Sequence, residues 1–174
     1  VRYFNFLDCG NLAKQSLFGD NAIWIGSDAR KQCQNFYNYC SAKASIKTVS
    51  KGTCPNYGSR NESVTYNNET VWLPSEREMG LDSYSPISTS NSTTSKAECT
   101  KGYNAPYSYY TSNSKRVKYY MNANGTLTSN TSWYWERSRY YNSSSRVCGV
   151  YDGGSAYISV YHYGYGLAPA FVIG

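Results

Sequence analysis

Tyr157–Gly166 reads YISVYHYGYG, with tyrosine at 157, 161, 163 and 165 around Ile158, Val160 and two glycines. Strict alternation of this kind is the mark of a half-buried strand. Parity places Ile158 and Val160 on the core side and Tyr157, Ser159, Tyr161 and Tyr163 on the opposite face. On that expectation the tyrosines form a contact surface. The plain alternative is that tyrosine is a good strand residue and nothing more.

The same vocabulary lies just upstream, in Trp133–Ser145, WYWERSRYYNSSS. Eight of the 20 tyrosines fall between 133 and 174, and they travel with Ser, Asn, Gly and Arg. Tyrosine gives a large amphipathic contact at small cost in rotamer entropy, while Ser, Asn and Gly adapt to the partner. Tyr and Arg are also favoured interface anchors. A binding surface is therefore the functional reading that the residues carry.

The rest of the chain sets the frame. At 174 residues one domain is expected, with enough chain for a real core. The chain does not begin with Met and is expected to be the C-terminal part of a longer protein. Only 16% of residues are charged, yet aromatic residues are 17%, a globular and β-leaning profile rather than a disordered one. No apolar run is long enough to span a bilayer, so no membrane insertion is expected. The net charge of +6 is scattered, densest at Lys115-Arg116-Val117-Lys118 and Arg137-Ser138-Arg139. It reads as a solvated mixed surface, and without a recognised motif nucleic acid is not an expected partner.

Element signals give an α+β class. Residues 1–26 read as short strands and turns, with Ala22–Ile25 the best strand among them. Ala29, Cys33, Phe36, Tyr37 and Cys40 recur at helical spacing behind a capping Ser27 or Asp28, predicting a helix near 28–43. Residues 50–68 read as loop and 70–73 as a short strand. Ser75 with Glu78 forms a capping box that predicts a short helix ending at Gly80. Residues 82–100 read as a surface loop. Strands are expected at 115–121, 133–138, 146–151, 155–161 and 168–173, with turns at Asn124-Gly125 and Asp152-Gly153-Gly154.

Signals of chemistry are sparse. His162 is the single histidine and lies in the tyrosine-rich strand without a nucleophile signature beside it. No phosphate loop or dinucleotide fingerprint appears. Calcium at Asp152-Gly153-Gly154 is one reading, but a tight turn explains those residues with fewer assumptions, so no cofactor is expected. The six cysteines, at 9, 33, 40, 54, 99 and 148, contain no C-x-x-C pair, which weakens a zinc reading. Their even number permits disulfides without fixing the pairing, and Cys33 and Cys40 read as small buried side chains rather than a bridge to each other. Six N-x-S/T sequons carry little weight in a chain this rich in Asn, Ser and Thr.

Several islands resemble an uncharacterised domain of Firmicutes and their phages, marked by a Trp-Leu-Arg-Ser segment and an Arg-Pro-Ala-Phe ending. They are SDARKQCQNFYNYC, IKTVSKGT, VWLPSEREMGL, WYWERS, RVCGVYDGG and GLAPAFVIG, in family order from about residue 20 to the C-terminus. The family's Trp-Leu-Arg-Ser stands here as Trp135-Glu136-Arg137-Ser138, and its Val-Arg-Pro as Leu167-Ala168-Pro169. The resemblance implies a C-type-lectin-like fold of the formylglycine-generating type, with short early helices and a C-terminal antiparallel β region. That fold is shared with variable proteins of diversity-generating retroelements, including the phage major tropism determinant.

On that resemblance residues 133–166 are a diversified segment on a fixed frame. The frame is Trp133, Trp135, Arg137, Ser138, Arg146, Val147, Cys148, Gly149, Pro169, Ala170 and Phe171. The ligand-binding positions are Tyr134, Glu136, Arg139, Tyr140, Tyr141, Asn142, Tyr157, Ser159, Tyr161, His162, Tyr163 and Tyr165. The expected role is a receptor-binding module of a phage tail or a surface adhesin, without enzymatic activity. It would act on the virion or the bacterial surface and hold a host cell-surface protein or glycan. Relatives imply a homotrimer. The alternatives are a fixed carbohydrate lectin and, behind it, an enzyme of the formylglycine-generating type or a cell-wall hydrolase, which loss of turnover on changing Cys148 or His162 would favour.

Overall fold

A computed structural model describes residues 16–53, 65–81, 106–121, 126–140 and 143–174. Their order is α1 (Asp28–Tyr39), a 3-10 turn (Lys43–Ser45), β1 (Ile46–Lys47), β2 (Val49–Thr53), β3 (Thr65–Glu69), α2 (Asn113–Arg116), β4 (Tyr119–Met121), β5 (Leu127–Thr131), β6 (Tyr134–Arg139), β7 (Arg146–Val150), β8 (Ala156–Val160), β9 (Gly166–Leu167) and β10 (Val172–Ile173). Few helices and small, mostly antiparallel sheets make the class α+β. The predicted loop at 82–100, the turn at Asn124-Gly125, and Cys9, Cys54 and Cys99 lie outside the described residues.

α1 forms where its spacing predicts. The Ser27 hydroxyl accepts the Arg30 N–H at 3.0 Å, satisfying a donor that the first turn leaves open. Ala29, Cys33 and Phe36 point into the core, where Phe36 meets Phe171 at 5.8 Å. The helix stops at Tyr39, not 43, because Cys40 turns extended and a 3-10 turn follows. Glu69 on β3 then ties the helix down, accepting from Arg30 Nε and from Trp24 Nε1, both at 2.9 Å.

Four local expectations are corrected. Ala22–Ile25 is no strand, although Ala22 and Trp24 are buried, because the chain turns there and the Ser27 N–H donates to the Trp24 carbonyl. Residues 50–68 include a hairpin: β2 and β3 pair in register from Val49↔Glu69 to Thr53↔Thr65. Their polar composition hid it, since Lys51 and Thr53 are buried with partners rather than left in water. Residues 70–73 contribute only an isolated bridge, Trp72 to Ala170. Lys115–Lys118 is not strand either; α2 ends at Arg116, and β4 begins at Tyr119.

The capping box at Ser75 and Glu78 is made, but without a helix. The Glu78 carboxylate accepts the Ser75 N–H at 2.9 Å, and the Ser75 hydroxyl accepts the Glu78 N–H at 3.2 Å. The chain continues as a turn and ends at Gly80, whose φ of +68 a side chain would resist.

The largest sheet runs β8-β7-β6-β9, with β6 and β9 parallel and the other pairs antiparallel. Both faces are covered. Register puts Trp135, Gly149 and Tyr157 across one face, with Val147 opposite Ser159. That face meets the main core of Phe18, Trp24, Val71, Leu73 and Leu167. The other face carries Tyr134, Val150 and Ala168 against Met79. β6 is therefore buried at all six positions, which no alternating pattern announces.

Parity on β8 is reversed from expectation. Ser159 is buried, and Tyr161 and Tyr165 pack on the main core, whereas Ile158 and Val160 are only half-buried and belong to neither core cluster. Tyrosine can face a core when its hydroxyl is partnered, and Tyr165 meets the Ser159 hydroxyl at 3.0 Å.

Candidate functional site

An aromatic shelf lies along one margin of the main sheet. Trp133, just ahead of β6, is its centre. Its ring lies 4.4 Å from Tyr151, 4.8 Å from Tyr157 and 5.5 Å from Tyr165, centroid to centroid. Tyr151 and Tyr157 meet edge to face at 5.4 Å, and Tyr165 leans on Trp135 at 4.7 Å. Such tilted and edge contacts are the favoured ones between rings. Beyond the shelf the turn at 161–163 continues it: His162 lies 5.6 Å from Tyr161 and 5.0 Å from Tyr163. Tyr163 is 53% exposed and Tyr151 37%.

The backbone explains why these rings converge. The Asp152-Gly153-Gly154 turn closes β7 onto β8 through Gly154 N–H to the Tyr151 carbonyl at 2.8 Å, which sets Tyr151 beside Tyr157. Gly149 stands in register between Trp135 and Tyr157, where a Cβ would come within 2.8 Å of the Tyr134 carbonyl. Gly166 N–H donates to the Trp133 carbonyl at 2.9 Å, which fixes the strand after Tyr165.

The predicted contact positions divide into three groups. His162 and Tyr163 are exposed, and Tyr140, Tyr157, Tyr161 and Tyr165 are half-buried. Tyr134, Glu136 and Arg139 are 1%, 0% and 4% exposed, so no partner reaches them in this structure, and Ser159 is buried under Tyr165. Tyr134 spends its hydroxyl on the Arg116 carbonyl at 2.7 Å, and burial raises its pKa. Tyr141 and Asn142 lie outside the described residues. Two shelf members were missed. Trp133 falls in the expected frame, and Tyr151 lies outside the alternating stretch. The flanks of the Asp-Gly-Gly turn were the signal that could have found Tyr151.

A buried ion network holds the sheet to the rest of the chain. Glu78 takes Lys51 on one carboxylate oxygen and Arg137 on the other. Arg137 also donates to the Leu73 carbonyl at 2.9 Å and the Gly52 carbonyl at 3.3 Å. Lys51 reaches the Tyr107 hydroxyl at 3.2 Å and lies 4.5 Å over the Trp72 ring. All three charged side chains are nearly inaccessible, so this network joins β2, the 73–78 turn and β6 rather than offering a surface. Burial by itself would raise the Glu78 carboxyl, but the charges of Arg137 and Lys51 outweigh it and hold its pKa below the ordinary value. A depressed carboxylate stabilises the fold above its unfolded pKa, and that contribution fades as pH falls through the folded pKa. The denaturant midpoint is thus expected to fall with acidification below about pH 4.5, and a Glu78→Gln variant to show a flatter acid limb. Equal acid slopes for the two proteins in pH-resolved urea titrations would reject this assignment.

The basic tract near 115 serves the interior too. Arg116 is 5% exposed and binds the carbonyls of Met79 at 2.6 Å, Gly80 at 3.2 Å and Tyr110 at 3.3 Å. Burial lowers Lys118 to about 8. Among the described residues no group of three or more His, Cys, Asp or Glu is placed to hold a metal, and no helix is long and apolar enough to cross a membrane. Cys33 and Cys40 are free thiols; Cys148 is fully buried, its thiol directed at the Arg139 carbonyl.

Residues 10–174 match a family described as Domain of unknown function (DUF6273). No curated protein and no solved structure matches the chain.

Proposed function

We propose a ligand-binding role for this chain, which belongs to the DUF6273 family. The aromatic shelf holds a host cell-surface protein or glycan, and the module serves a phage tail or a surface adhesin. The carrying observation is the run of rings from Tyr151 through Trp133 and Tyr157 to Tyr165, continued by exposed His162 and Tyr163. Rings already fixed by one another lose little entropy on binding, which favours affinity.

On this reading the scaffold is C-type-lectin-like, and the β7–β8 region and the 161–165 turn present the ligand face. Diversification by a retroelement acts on Tyr140, Tyr141, Asn142, Tyr157, Tyr161, His162, Tyr163 and Tyr165, while Ser159, buried under Tyr165, leaves the set. The buried Tyr134, Glu136 and Arg139 are better suited to holding β6 in place, and they leave the variable set.

Binding of fluorescently labelled protein to intact bacterial cells tests the role. Alanine at Tyr151 and Tyr163 together is expected to weaken binding at least about 30-fold, the effect of losing an aromatic hot spot. Because both rings are partly in solvent, the melting temperature is expected to move by only about 2–4 °C. Binding that survives the double change would sink the proposal. Prior periodate treatment of the cells removes binding if the target is a glycan, the fixed-lectin reading. Prior protease treatment removes it if the target is a protein.

A further inference from the structure

The main sheet ends differently on its two sides. On one side β9 is two residues long and Pro169 follows closely, both of which blunt an edge. On the other, β8 runs five residues in unbroken register with β7 and pairs with no other strand among the described residues. Tyr161 N–H donates to the Ser145 carbonyl, so in the same register residues 159 and 157 bond β7. The N–H groups of Ala156, Ile158 and Val160 then point away from the sheet. Among the described residues no backbone partner meets those of Ala156 or Ile158.

Among the described residues this edge lacks the usual protection. From Gly153 to Gly166 there is no Asp, Glu, Lys, Arg or Pro. No register shift interrupts β8. Its outer aliphatic side chains, Ile158 and Val160, are half-buried and belong to neither core cluster.

We propose that β8 is where two copies of this chain join, antiparallel about a two-fold axis through Ile158. The strand is close to its own complement. Ile158 meets the partner's Ile158, Ala156 faces the partner's Val160, and large Tyr157 lies opposite small Ser159 of the partner subunit. Each Ile158 both donates to and accepts from its mate, and Val160 N–H donates to the carbonyl of the partner's Ala156. The absence of charge matters for this partner in particular. Two copies of net charge +6 can meet here without pressing like charges together. A five-residue edge buries less than the roughly 1,200 Å² of a stable interface, so the dimer is weak, with Kd on the order of 10–500 μM.

Sedimentation of the full chain over about 5 μM to 1 mM tests this, with backbone hydrogen exchange at both ends of the range. Mass is expected to rise from monomer to dimer, and the amides of Ile158 and Val160 to exchange at least about tenfold more slowly when concentrated. Ile158→Lys is expected to abolish the dimer, while Tyr39→Lys, far out on exposed α1, leaves it intact. Should Ile158→Lys fail to fold, the exchange comparison on the unaltered chain decides alone. A monomer throughout, a trimer, or a dimer whose Ile158 amide exchanges at one rate at all concentrations would each overturn the proposal.

Discussion

Replacing Arg137 by alanine is expected to cost about 3–5 kcal/mol of folding stability, read as a lower midpoint in urea. Arg137 is 1% exposed and ties β6 to two other parts of the chain at once: the 73–78 turn, through Glu78 and the Leu73 carbonyl, and β2, through the Gly52 carbonyl. Its removal leaves Glu78 with Lys51 as its remaining cation and two carbonyls short of a donor. The loss of a charge-assisted hydrogen-bond donor to buried carbonyls, together with the cavity left by a fully buried side chain, is costlier than a lost surface pair by several kcal/mol. Arg146, exposed at the start of β7, is the matched control, with an expected change within about 0.5 kcal/mol for alanine. A loss below about 1 kcal/mol for Arg137→Ala would mean that the network is not what fastens β6. Changing Lys51, Glu78 and Arg137 together to apolar residues is expected to recover part of the loss, because paired buried charges carry a desolvation cost of their own.

Gly154→Ala is expected to cost roughly 2–5 kcal/mol. Gly154 has φ +85, where a Cβ is strained, and that Cβ would stand 1.9 Å from the Asn113 carbonyl oxygen. Backbone must move, and the element that moves is either α2 or the turn that seats Tyr151 beside Tyr157. Gly153, one residue earlier, has nothing within 4 Å of its Cβ position. Gly153→Ala is expected to change stability by no more than about 0.5 kcal/mol. Similar melting temperatures for the two variants would contradict the close packing of turn and helix. Where the turn is the element that moves, cell binding is expected to weaken in Gly154→Ala as well, because the shelf's outer ring moves with it.

The sequence made some of this legible and hid the rest for definite reasons. α1 was readable because its apolar period and its cap agree. The β7–β8 hairpin was readable because Asp152-Gly153-Gly154 states the turn directly. The β2–β3 hairpin was hidden because VSKGT and TYNNE look like loop, and what makes them strand is a buried ion network assembled from residues far away in the chain. The capping box was read correctly as chemistry and wrongly as a helix, since the same two hydrogen bonds also close a turn.

The site divided in the same way. Alternation found Tyr157 and Tyr161 but placed them on the wrong side, because parity separates two faces without saying which faces water. Tyr157 and Tyr165 belong to the shelf nonetheless, at the margin where the core-side face runs out to solvent. Tyr134, Glu136 and Arg139 were misplaced because β6 is buried on both sides, and a charged residue inside a strand reads as exposed until its surroundings are known.

The placement of the four tryptophans has an optical consequence. Trp24, Trp72 and Trp135 are 1%, 2% and 0% exposed, and only Trp133 reaches the solvent margin. A collisional quencher such as acrylamide therefore acts on one indole of the four, and that indole is the centre of the shelf. The tyrosines packed around it pass excitation energy to it at these separations. The unlabelled protein carries its own lamp at the place where a ligand would cast a shadow.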